Sequence, residues 1–190
     1  MVFKMFVRAA SLLTTLGVVP AAHGQFMLAS PDFQPGGTLA DEQAYDGMGC
    51  TGKNVSPALR WSGAPAGTKS FALLLHDPDA PTGGAGWWHW IAYDIPATTS
   101  ELRKGAGKPD GSAMPAGAKS VANDYGTPGY GGPCPPEGDK PHRYVFTLYA
   151  LSVDKLELPT GAHAPVVGFV VNGKTIGKAS ITGMYGRPRK

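Results

Sequence analysis

Glycine and proline interrupt this chain throughout: 27 glycines and 18 prolines are interleaved with short apolar runs and follow no fixed period. A proline inside a helix removes a hydrogen bond and clashes with the preceding turn, and a glycine there costs about 1 kcal/mol. The same two residues are what tight turns need. The pattern therefore predicts short extended segments joined by turns, an all-β fold. Four Trp, seven Tyr and seven Phe, with 42% hydrophobic and 16% charged residues, supply a real core and exclude a disordered tail or a coiled coil. At 190 residues the expectation is one compact domain.

Residues 1–24 read as a secretory signal peptide, leaving 25–190 as the folded domain. Lys4 and Arg8 form a basic start, Ala9 to Val19 is uncharged, Pro20 breaks the run, and Ala22 and Gly24 are small residues at cleavage-site positions. Cleavage is expected after Gly24. The alternative is an uncleaved anchor, but the run is well short of the ~20 residues that a membrane-spanning helix needs. Once Lys4 and Arg8 leave, the 17 basic residues become 15 against 14 acidic ones, a net charge of +1. That balance offers nothing to nucleic acid. A periplasmic or secreted protein with no transmembrane segment after signal removal is expected. In such an oxidising compartment Cys50 and Cys134, the only cysteines, form a candidate disulfide, which would contribute about 4 kcal/mol by loop entropy. Two unpaired small hydrophobes are the alternative.

Phe71 to His76, Trp90 to Ile95 and Tyr144 to Leu151 are the firmest strands, being aromatic and aliphatic and bounded by Pro, Gly and Asp. Ala58 to Trp61 and Ala179 to Met184 are weaker ones. Pro96 to Pro128 and Gly129 to Pro141 read as long connections, a length usually tied to function or mobility. Pro165 to Ile176 is ambiguous, because Val and Phe favour a strand while Val166, Val167, Val170 and Val171 recur at helical spacing.

Three clusters carry candidate chemistry. Asp77-Pro78-Asp79-Ala80-Pro81 follows the first firm strand; it is either a turn in which an Asp accepts backbone N–H groups, most readily Asp79, or a stiff mount for the Asp77 carboxylate. Trp87-Trp88-His89-Trp90 opens the next strand, and period-two alternation places Trp87, His89, Ile91 and Tyr93 on one face. His89 is then either a core histidine bonded to backbone or part of a pocket walled by tryptophan. Gly129 to Pro136 mixes residues that lock φ with residues that permit close approach, so its few N–H groups can cradle an anion. In the strand after it His142 and Tyr144 share a face, while Arg143 points away and reads as structural.

Other patterns carry little. Gly168 to Thr175 matches G-x-x-x-x-G-K-[ST], but the segment is apolar and no long helix follows. Asn54-Val55-Ser56 fits a glycosylation acceptor by chance. His76, His89, His142 and His163 lack paired-ligand spacing, so no metal and no cofactor are expected.

Taken in order, Asn54 to Trp61, D-P-D-A-P, W-W-H-W, P-C-P-P-E-G, H-R-Y and Ala179 to Thr182 resemble the phosphatidylethanolamine-binding protein family, in its bacterial Raf-kinase-inhibitor-like branch. The resemblance spans essentially the whole mature chain. It implies a mostly β, single-domain antiparallel sandwich with a few short helices, one near the C-terminal part, which favours a helix at Pro165 to Ile176. It also implies a small pocket for phosphate or another anionic head group, built from Asp77, His89, His142 and Tyr144, with a backbone N–H from Cys134 and with Pro81 and Trp87 at the mouth. Cys134 stands where eukaryotic members have glycine, and Trp88 where they often have a second histidine. An anion beside Asp77 needs a proton between them, so a phosphomonoester monoanion donating to Asp77 and accepting from His89 and Tyr144 is the expected ligand form, bound more tightly at pH 5.5 than at pH 8. A non-enzymatic binding protein for a phospholipid, nucleotide or peptide carboxylate is the leading expectation. A protease inhibitor acting through the pocket rim is the alternative, and a hydrolase is less favoured because no G-x-S-x-G is present.

Overall fold

The structure is a computed structural model that describes Met1 and residues 24–189. The expected leader, 1–24, lies outside the described residues apart from its two ends.

The apolar run around Phe71 sets the architecture. Strand β5 (Ser70–Asp77) is buried along nearly its whole length, which a strand satisfies only when both faces of its sheet are covered. It lies at the centre of a five-stranded antiparallel sheet. On one side it pairs with β6 (Trp87–Pro96) and then β8 (Lys119–Ser120); on the other with β9 (His142–Leu151) and then β10 (Thr175–Tyr185). Phe71, Leu73 and Leu75 face a three-stranded sheet of β1 (Met27–Ala29), β4 (Leu59–Ser62) and β7 (Glu101–Leu102), against Leu28, Leu59, Trp61 and Leu102. Ala72 and Leu74 face the other way, onto Ala164, Val167 and Val171 of helix α1 (Ala164–Lys174). A small hairpin, β2 (Asp46–Gly47) and β3 (Cys50–Thr51), completes the strands.

The domain is therefore a mostly β antiparallel sandwich, with one α-helix and one 3-10 turn (Asp41–Gln43) among the described residues. This is fewer helices than the resemblance implied. The ambiguous Pro165 to Ile176 splits: its valines bury one face of α1, and Ile176 already belongs to β10. The apparent phosphate-loop pattern runs through the end of that helix and so forms no loop. Strand β10 is an edge strand whose second half is covered by the N-terminal segment, with the Gly36 N–H donating to Thr182 O (2.7 Å), Leu39 N–H to Met184 O (2.8 Å) and Met184 N–H to Gly37 O (2.8 Å).

Alternation along β6 is broken, and the expected shared face of Trp87, His89, Ile91 and Tyr93 does not form. Leu75 pairs with Trp90 while His76 pairs with Trp88, so His89 is an extra residue in a β-bulge. The bulge leaves Trp90 in the sandwich core and sends Ile91 to the helix side, where Trp88 and Tyr93 also pack. A second bulge lies between Ala92 and Ile95, where Asp94 adopts φ +55°. Asp94 is buried, accepts the Leu156 N–H at 2.8 Å and has Lys119 Nζ 3.5 Å from its other oxygen. Asp94→Ala would orphan a buried N–H and place a methyl-bearing residue in the left-handed region. Its expected cost is about 2–4 kcal/mol, against a much smaller one for Asp94→Asn, which retains both an acceptor and tolerance of that φ. Urea unfolding of the two variants checks this, and equal losses would contradict it.

Candidate functional site

The sandwich opens at the end of the sheet where β5 stops and β6 and β9 begin. β5 stops because Pro78 follows Asp77 and can donate nothing to the ladder. The Asp77 carboxylate then closes the turn itself: Oδ1 accepts the N–H groups of Asp79 (2.8 Å) and Ala80 (3.1 Å). Its other oxygen, Oδ2, accepts the Nδ1–H of His142 at 2.8 Å, and both side chains are buried. On its outer side His142 Nε2 lies 3.7 Å from Asp139. Asp79 is not free either. Arg143, turned away from His142 and Tyr144 as strand alternation requires, holds it through Nε (2.9 Å) and Nη2 (2.7 Å). That guanidinium draws the Asp79 pKa down to about 2.

The bulge delivers His89 to the same opening. Ring and backbone are both tied to the glycine-rich loop: His89 Nδ1–H donates to Gly131 O (2.7 Å), and Gly131 N–H donates to His89 O (2.8 Å). The carbonyl fixes the tautomer, so Nε2 carries a lone pair. Burial drives the His89 pKa down to about 4, and the imidazole is neutral at pH 7. The loop can lie this close only because it lacks side chains, since a methyl at Gly131 would run into the Tyr125 ring and one at Gly132 into the Gln43 carbonyl. Asn54 pins the loop from outside, accepting the Gly132 N–H (2.7 Å) and donating to Tyr130 O (3.1 Å). Asn123 Nδ2 donates to Gly129 O (3.1 Å), and Tyr125 OH donates to Gly132 O (2.9 Å). Tyr125 also stacks on Tyr45 with ring centroids 3.8 Å apart and meets the His89 ring edge-on.

These elements enclose a cavity of about 170 Å³. All seven side chains singled out in the sequence line it: Asp77, Pro81, Trp87, His89, Cys134, His142 and Tyr144. Ala80, Pro135 and Pro136, from the two proline-rich clusters singled out in the sequence, and Met48, Thr82 and Tyr125, which were not singled out, complete the wall. Among the described residues no lysine or arginine lines it. Three lining side chains carry a buried polar atom with no hydrogen-bond partner: Trp87 Nε1, His89 Nε2 and Tyr144 OH. Burial first, and then the charge of Asp77, push the Tyr144 pKa up, so its hydroxyl stays protonated and can donate. Among the described residues the Cys134 N–H has no acceptor. Two buried side-chain donors and one acceptor thus surround the space. Such buried groups cost free energy unless something fills them. A wider depression of about 460 Å³ beside Thr38 and Arg187 gathers no comparable set.

Cys50 and Cys134 are bridged, with Cα atoms 5.9 Å apart, and the bridge joins the β2–β3 hairpin to the cavity wall. Arg187, which the sequence did not single out, reinforces the junction: Nη2 donates to Gly49 O (2.7 Å) and Glu137 (2.8 Å), and Nη1 to Pro135 O (3.2 Å).

One assigned role changes. Asp77 already accepts three protein hydrogen bonds, whereas His89 Nε2 presents a lone pair with no partner, so the open acceptor in the cavity is His89. The expectation had Asp77 as acceptor and His89 as donor.

The comparisons agree with this fold. The solved structure of Escherichia coli YbcL superposes with a TM-score of 0.82 at 45% identity, covering 86% of this chain and 99% of that one. A homologue from Chlamydia trachomatis, CT736, gives 0.72 at 31%, covering 86% and 98%. The putative lipoprotein LppC of Mycobacterium tuberculosis is 37% identical over 180 residues, 95% of this chain and 81% of LppC. The phosphatidylethanolamine-binding protein profile matches residues 29–186, nearly everything that the strands, the helix and the cavity occupy, and the chain belongs to that family.

Proposed function

We propose that this is an exported, non-enzymatic binding protein whose cavity takes the acidic end of a ligand: a phosphomonoester, a phospholipid head group or a carboxyl group still holding a proton. The observation that carries this is the orphaned set in the cavity wall. Tyr144 O–H and Trp87 N–H need acceptors, while His89 Nε2 needs a donor. An oxyacid that retains one proton offers both. A fully ionised dianion offers only acceptors and meets a wall with no fixed cation. About 170 Å³ is below the roughly 300–1,000 Å³ of clefts that enclose drug-sized molecules, so only a terminal group enters. The apolar rim of Pro81, Pro135, Pro136 and Met48 suits a ligand whose remainder is apolar. Export is supported by the leader-like residues 1–24, by the disulfide and by the likeness to a putative lipoprotein. Inhibition of a protease through the rim is a second reading. Its test is stoichiometric protection of a protease.

The test of the main reading is titration calorimetry with methyl phosphate. Tyr144→Phe is expected to weaken binding about tenfold or more, the worth of one hydrogen bond to a charged group. Stability should hold or rise in the same variant, because a buried hydroxyl without a partner has been removed. Full affinity in Tyr144→Phe would overturn the role of this cavity.

A further inference from the structure

The rim of the cavity is held together mainly by sulfur, and the reason lies in local sequence. Cys134 sits between Pro133 and Pro135, with Pro136 beyond, so the segment has almost no N–H groups with which to anchor itself. Opposite it, β2 and β3 are two residues each, and Met48 at their tip has φ +50° and is 71% exposed while lining the cavity. Beside the Tyr45 N–H that donates to Pro133 O at 3.0 Å, two side-chain fasteners join these weakly held pieces. One is the Cys50–Cys134 bridge and the other is Arg187.

The two sulfurs are unequally placed. Cys50 is 8% exposed in the core of the hairpin, while Cys134 is more open and forms part of the cavity wall. Arg187 Nη1 lies 3.9 Å from Cys134 Sγ, a positive charge beside the sulfur that an incoming thiolate would attack.

We propose that Cys134 is a thiol–disulfide exchange site inside the ligand cavity and that the bridge acts as a latch on the rim. The partner is a small dithiol or a dithiol-bearing reductant. Its first thiolate attacks Cys134 Sγ, forming a mixed disulfide and expelling the Cys50 thiolate. Its second thiol then attacks the mixed disulfide at the reductant's own sulfur and expels Cys134. Two electrons leave the reductant, which becomes a disulfide, and two protons end on the cysteines. The opened rim keeps only Arg187 and the Tyr45 N–H to Pro133 O bond between hairpin and loop. Ligand binding must then order the Met48 hairpin and residues 133–136, so affinity falls.

This rests on the cavity being the anion site, and the experiment separates the two. The protein is treated with dithiothreitol under native conditions, its thiols are counted, and methyl phosphate is titrated into oxidised and reduced forms. Two thiols and roughly tenfold weaker binding are expected, the cost of ordering one or two freed side chains. Cys50→Ser, which leaves the cavity wall intact, should bind like the reduced protein and ignore dithiothreitol. A bridge that yields thiols only in denaturant, or equal affinity in both forms, overturns the latch. If the oxidised protein does not bind methyl phosphate, the anion reading fails, and hydrogen exchange decides the latch alone. Faster exchange at residues 46–52 and 131–138 after reduction supports it, and unchanged exchange there overturns it.

Discussion

A simple phosphomonoester such as methyl phosphate is expected to bind on the order of fiftyfold more tightly at pH 5.5 than at pH 8. The sign follows from where the proton sits. The His89 pKa is held down to about 4 by burial, so across this whole range the free protein offers a bare lone pair at Nε2. The ligand's second pKa is near 6. Above it the free ligand is a dianion and binding must take up one proton, so affinity drops about tenfold for each further pH unit. Below it the ligand arrives with its proton and the dependence flattens. Once bound, that proton lies between a phosphate oxygen and His89, whichever of the two owns it. Calorimetry in two buffers of different ionisation enthalpy reads the uptake directly, and affinity that ignores pH would remove the mechanism. Methyl sulfate, which holds no proton in this range, is expected to bind weakly throughout.

Replacing Asp77 by alanine should cost stability rather than affinity alone. The carboxylate is 3% exposed and accepts the Asp79 N–H, the Ala80 N–H and His142 Nδ1–H, so Asp77→Ala leaves three donors unanswered at once, the buried His142 among them. Losing the acceptor for these three hydrogen bonds costs about 3–5 kcal/mol, which for a domain this size is on the order of 10 °C in Tm. Asp77→Asn is the informative companion. Its amide oxygen can still serve the two backbone donors, while its NH2 group meets His142 at a nitrogen that must change tautomer. A loss of about 1–2 kcal/mol is expected. Should Asp77→Ala melt with the wild type, the carboxylate is not what fastens the turn to β9.

Much of the framework was legible because it depends on local patterns. The run Phe71 to His76 read as a strand from its apolar residues, and the turn chemistry after Asp77 and before His142 marked where strands meet the opening. The motif order gathered seven of the thirteen residues that line the cavity. What escaped depends on partners far away in sequence. Asn54, seen as a chance glycosylation pattern and as the start of a family motif, braces Gly132 across 78 positions. Arg187 clamps a hairpin more than 130 residues upstream. The bulge at His89 is a misfit between β5 and β6 that neither strand announces alone, and the tautomer of His89 is fixed by a carbonyl 42 residues away. The short strands β1, β7 and β8 also escaped, being two or three residues long with no periodicity to read.

The cover of Gly36–Leu39 on β10 has a kinetic consequence. The first and last parts of the domain are hydrogen-bonded neighbours, and the cavity draws on β5, β6 and β9 together. Nearly the whole chain must therefore be available before the sheet edge is sealed or the binding site exists. Proteins dominated by such distant contacts fold slowly, over milliseconds to seconds, because loop closure precedes the contacts that reward it. A chain of this topology therefore leaves the ribosome without a finished sheet, and its cavity takes shape only after its last strand has been released.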